Sequence, residues 1–166
     1  MQFNLKPISH EGIGEALEKA ERYRLLNEPA QAESICQDVL AVDHGNQKAL
    51  IMLLLALTDQ FGHGVTASRA RDVLRRITGE YEQAYYGGII SERIAHSQLR
   101  QASPNSAFTA YDAFRKAMEL YERAEELRPA GNDDAILRWN TCARMLMRNQ
   151  NLRPRPEEAV EAIQGE

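Results

Sequence analysis

Apolar and small residues recur at steps of three and four along most of this 166-residue chain, the stripe of an amphipathic helix rather than the alternation of a strand. Read in order, the stripes predict seven helices. Residues 1–8 form an extended lead-in, because Pro7 disfavours helix at the residue before it. Ser9 caps a first helix to about Leu26, with Ile13, Ala16, Leu17, Ala20 and Tyr23 on one face. Asn27-Glu28-Pro29 turns the chain into a second helix, about 30–42, carrying Ala32, Ile35, Cys36, Val39 and Leu40. A third runs from an Asn46 cap to about Phe61; its residues 49–57 are apolar nearly all round, so it is covered on more than one side and belongs at the centre of a stack. Gly62 and Gly64 break it.

The fourth helix, about 67–77, turns Ala70, Val73, Leu74 and Ile77 inward and Arg69, Arg71, Arg75 and Arg76 outward. The fifth, about 81–101, places Tyr85, Gly88, Ile89, Glu92 and His96 along one stripe. Its Gly87-Gly88 pair costs about 1 kcal/mol per glycine relative to alanine, so a close helix approach is expected there as compensation. Ser103-Pro104 starts a sixth helix, about 105–127, in which Ala117, Tyr121 and Ala124 follow at steps of four and three before Pro129 stops it. Gly131-Asn132 precedes a seventh, about 133–148, with Ala135, Ile136, Trp139, Cys142, Ala143, Leu146 and Met147 apolar; it shields the open end of the stack. The remainder, 150–166, reads as a linker and tail, with EEAVEAIQG either a short helix or disordered.

The run AMELYERAEELRP, from small Ala117 through Tyr121 and Ala124 to Pro129, resembles the second helix of a tetratricopeptide (TPR) repeat. AESICQDVLAVDHGN resembles the same ending in a degenerate repeat: Tyr23 lies nine residues before Ala32, Cys36 stands in the aromatic position and His44 in that of the closing proline. The two matches end about two and a half ordinary 34-residue repeats apart, so the array is irregular. The resemblance implies an all-α fold over 9–149, a right-handed superhelical stack of antiparallel helix pairs forming a TPR-like α-solenoid. It also implies a non-enzymatic scaffold that holds a partner protein or peptide in a concave groove lined by the first helix of each pair. By register those positions are Leu17, Glu21 and Arg24, then Ile51, Leu55 and Thr58, then Tyr85, Ile89, Glu92 and His96. Apolar Ile51 and Leu55 suit a hydrophobic peptide; the alternative is a homodimer closed through the same patch.

Composition narrows the partners. The net charge of −4 argues against a nucleic-acid backbone as main partner, the start MQFNLKPISHEG has no apolar core of signal-peptide length, and the longest apolar run, 49–57, is far short of a membrane span. Two distant cysteines, Cys36 and Cys142, fit buried thiols in the cytoplasm better than a disulfide framework.

Catalytic signatures are missing: the chain has no phosphate-binding glycine loop, G-x-S-x-G elbow, paired-histidine zinc motif or CxxC, so no cofactor or catalytic residue is assigned. Glu92 and His96, one turn apart, are half of a metal site at most, and no metal is expected. Among Tyr81, Tyr85 and Tyr86, Tyr85 is expected in the core and one of its neighbours on the surface as a binding aromatic. Arg138, Arg144 and Arg148, continued by Arg153 and Arg155, form the densest basic patch; the sharper reading of it is a contact for an acidic peptide or for the tail's own Glu157, Glu158 and Glu161.

Overall fold

A computed structural model describes residues 1–156; the tail glutamates Glu157, Glu158 and Glu161 lie outside the described residues. Within that span the chain is all-helical, with seven α-helices and, in place of any strand, one isolated bridge between Phe61 and Val65. The helices fall into two compact units, the first ending at Thr78 and the second beginning at Gly79.

The first unit opens with a 3-10 turn, His10–Gly12, then α1 (Ile13–Leu25), α2 (Pro29–Val42), α3 (Gln47–Thr58) and α4 (Ala67–Leu74). Ser9 caps the 3-10 turn, accepting from the Gly12 amide, so the cap sits one turn upstream of the α-helix proper. Pro29 starts α2, where its missing N–H leaves no donor wanting. Asn46 accepts from the Ala49 amide at 2.9 Å and caps α3. That helix buries Ala49, Leu50, Leu53, Leu54, Ala56 and Leu57 and packs against α1, α2 and α4, as an all-round apolar pattern requires. It ends at Thr58 rather than at Phe61: the Thr58 hydroxyl bonds back to the Leu55 carbonyl, and Phe61, 3% exposed, anchors the following loop. Likewise α4 stops at Leu74, and Ile77 is buried from a turn instead of a helix.

The second unit contains α5 (Glu80–Gln101), α6 (Ser106–Leu127) and α7 (Asp134–Arg148). Gly79 enters α5 at φ +96°, a conformation that disfavours other residues. The long pair α5 and α6 makes the most extensive helix contact, and α7 packs on α6. Ala117, Tyr121 and Ala124 are fully buried along α6. Facing them, a side-chain carbon built on Gly88 would lie 2.5 Å from the Tyr121 ring, so only glycine lets the helices approach this closely. Cys36 and Cys142 are both buried and free; burial pushes each thiol up to about 12, which leaves them unreactive.

Candidate functional site

The chemistry of the second unit converges on Glu92. It lies one turn beyond Gly88 on the α5 stripe, and its carboxylate is 5% exposed. Because Gly88 admits the Tyr121 ring against the α5 backbone, the phenol hydroxyl reaches across and donates to Glu92 Oε2 at 2.6 Å. From α7, Arg138 Nη1 donates to Oε1 at 3.4 Å, and His96, one turn along α5, holds Nε2 3.8 Å from the same oxygen. The His96 ring stands edge-on to Phe114 of α6, centroids 5.2 Å apart. One carboxylate thus ties three helices together.

Burial pushes the Glu92 carboxyl up, but His96, Tyr121 and Arg138 together outweigh it and hold the group below its ordinary range, as an anion. Tyr121 is driven the other way by burial and by the Glu92 charge and stays a neutral donor. For Arg138, desolvation favours the neutral form, yet the charges of Glu92 and of its neighbours prevail and raise it further. Glu92 and Arg138 are thus both held in their charged forms and Tyr121 in its neutral form, a hydrogen-bonded ion pair with a phenol donor.

At the edge of this knot the surface is aromatic. Tyr81 and Tyr85 stack with centroids 5.7 Å apart, Tyr86 meets Tyr85 edge-on at 5.1 Å, and Tyr85 tilts against Tyr121 at 5.9 Å. All three outer tyrosines are half-buried, and burial raises each phenol, that of Tyr86 to about 12. Asn132, before α7, donates to the Tyr81 hydroxyl at 3.1 Å. Beside them Arg138 and His96 remain 35% and 31% exposed. The anion is sealed while its cationic and aromatic neighbours are partly exposed.

The residues named from sequence divide accordingly. In the first unit Leu17, Ile51 and Leu55 are half-buried and Glu21 is exposed. Arg24 is engaged, its Nε donating to Asp59 Oδ2 at 2.7 Å, and Thr58 is buried. In the second unit Tyr85 and His96 are half-exposed, whereas Ile89 and Glu92, at 2% and 4%, lie beneath the surface and line no groove. The basic trio separates: Arg138 turns inward to Glu92, while Arg144 and Arg148 are exposed on another face of α7. Among the described residues no three His, Cys, Asp or Glu converge as metal ligands, and the Glu92 oxygens are already taken by Tyr121 and Arg138.

Sequence reasoning did not find the bonds from Tyr121 and Arg138 to Glu92, nor a link in the first unit where Arg69 and Gln60 both bond Glu33. The Gly88-x-x-x-Glu92 spacing opposite Tyr121 was the available signal: a gap for a ring, then an acceptor for its hydroxyl. No family model matches the chain, and no curated protein or solved structure shows significant similarity to it. No helix among the described residues is long and apolar enough to cross a membrane.

Proposed function

We propose that the chain is a TPR-like, non-enzymatic interaction module whose stacked helix pairs hold a partner protein or peptide. The observation that carries this reading is the row of Tyr81, Tyr85 and Tyr86, half-exposed and braced from below by the Glu92 ion pair. Aromatic side chains fixed in place offer large contact area at little entropic cost, and amphipathic tyrosine suits a surface that is wet when free and dry when bound. Glu92, Tyr121 and Arg138 all titrate farther from neutral pH than they ordinarily do, which favours a binding role over a catalytic one. The right-handed superhelical stacking of the pairs, the groove contributions of Leu17, Ile51 and Leu55, and a cytoplasmic setting belong to the same proposal.

Affinity enrichment from the source cell tests it, comparing the native chain with Tyr81→Ser/Tyr86→Ser and with Ile51→Glu/Leu55→Glu. The expected result is a specific partner retained by the native chain and lost from at least the tyrosine variant while its melting transition survives. An identical set of partners on all three proteins would defeat the reading. The apolar half-burial of Ile51 and Leu55 also keeps the homodimer reading in play. Light scattering decides that point, because a dimeric mass abolished by Ile51→Glu/Leu55→Glu assigns the patch to a second copy.

A further inference from the structure

The outer face of α7 is chemically unlike the tyrosine face and is not used by it. Leu137 is 61% exposed and Met147 75%, whereas Ala135 and Cys142 on the opposite side are fully buried. Helical geometry aligns Leu137, Thr141, Arg144 and Arg148 at steps of four, three and four, with Met147 at the margin of that stripe. Arg153 and Arg155 follow, also exposed. Elsewhere Arg24, Arg69, Arg75, Arg123 and Arg128 each hold an aspartate or glutamate. Among the described residues Arg144, Arg148, Arg153 and Arg155 have no such partner. Around Met147 this face therefore carries positive charge with no acidic partner among the described residues, while Asp133 and Asp134 lie one turn before Leu137, Asp133 already engaged by Arg128.

Building on the interaction-module reading, we infer that this face docks an acidic amphipathic segment of a partner protein, apolar side chains on Leu137 and Met147 and carboxylates against Arg144 and Arg148. The two anchors lie ten residues apart on α7, roughly 15 Å, which matches about three turns of a docked helix. Charge complementarity selects this occupant. A second copy packed two-fold on the same face offers Arg144 and Arg148 only Asp134, since Asp133 already holds Arg128, and a dimeric mass in light scattering that Arg144→Glu/Arg148→Glu abolishes would overturn the inference. A bilayer would have to accept polar Asn140 and Thr141 between the apolar anchors.

The test titrates the full chain with a synthetic helical peptide bearing leucines at steps of three and four flanked by glutamates, and with a twin in which every glutamate is lysine. Calorimetry reads binding, with Trp139, the chain's one tryptophan, as a fluorescent check. The glutamate peptide is expected to bind, to weaken by about tenfold or more when salt rises from low to physiological strength, and to weaken comparably on Arg144→Glu/Arg148→Glu. Leu137→Ser should weaken it too, and Tyr81→Ser should leave it unchanged, with melting midpoints preserved in all variants. Equal binding of the twins, or binding by neither, overturns the inference. So does binding that emerges only after residues 157–166 are deleted, which would assign the face to the chain's own tail. Flotation with phosphatidylserine vesicles that Arg144→Glu/Arg148→Glu abolishes would assign it to a membrane and also overturn the inference. Loss of the peptide result while the tyrosine-dependent partner survives sinks this inference alone; the broader reading fails separately, when the tyrosine variant retains every partner.

Discussion

In the first unit helices meet through aliphatic side chains, and charge is kept at the rim. Leu50, Leu54 and Leu57 of α3 are buried to within 1%, while the Arg24–Asp59 pair is 22% and 18% exposed. In the second unit the ring of Tyr121 lies on a glycine, and its hydroxyl ends on a carboxylate that water scarcely reaches. The difference is one of tolerance. An aliphatic contact loses free energy in proportion to the atoms removed, and a rim ion pair contributes little. A buried ion pair contributes little net against an apolar replacement, but removal of one member strands the other. The first unit should therefore degrade gradually under substitution and the second abruptly.

The largest expected effect follows directly. Glu92→Ala leaves the buried Tyr121 hydroxyl without its acceptor and takes the carboxylate from Arg138, which is 35% exposed and can turn to water, so it should cost about 2–4 kcal/mol in urea unfolding followed through Trp139. A loss below about 1 kcal/mol would mean that water or a rearranged side chain replaces the carboxylate, and the contrast between the units would vanish.

The glycines sharpen the comparison, because one substitution is expected to have opposite signs in the two units. Gly88→Ala gains about 1 kcal/mol of helix propensity. It also sets a methyl 2.5 Å from a ring that is fully buried and pinned by its hydroxyl, so a net loss of about 1–3 kcal/mol should result. Gly14 in α1 has no atom within 4 Å of that position, and Gly14→Ala should stabilise by about 0.5–1 kcal/mol. Thermal midpoints that moved in the same direction would show that propensity, not packing, governs both sites.

Acid offers a subtler probe. The folded Glu92 carboxyl titrates below its ordinary value of 4.5, so its contribution is complete above about pH 4.5 and drains away as pH falls through the folded value. The stability gap between the native chain and Glu92→Gln should narrow on acidification below that point. A gap independent of pH would show that the anion is not what the knot requires.

Much of this architecture is legible in the sequence because helical periodicity is local. The seven stripes, the burial of Ala117, Tyr121 and Ala124, and the close approach at Gly88 all follow from side-chain spacing and the cost of glycine in a helix. The ends of α3 and α4 were misjudged by about three residues, since Phe61 and Ile77 continue an apolar pattern after the hydrogen-bonded helix has ended. The site was less legible. Arg138 reads as part of a basic surface with Arg144 and Arg148, and only packing of α7 brings it to Glu92, 46 residues away. The division at Gly79 was likewise invisible, because how contacts partition is a property of tertiary packing and not of spacing.

A double-mutant cycle on Glu92→Gln and Tyr121→Phe, measured by equilibrium urea unfolding, tests the central claim that one hydrogen-bonded carboxylate locks the second unit. The account predicts that the single losses fail to add, with a coupling of about 1–3 kcal/mol. Losses that add to within about 0.5 kcal/mol would contradict it, since the two residues would then be stabilised independently.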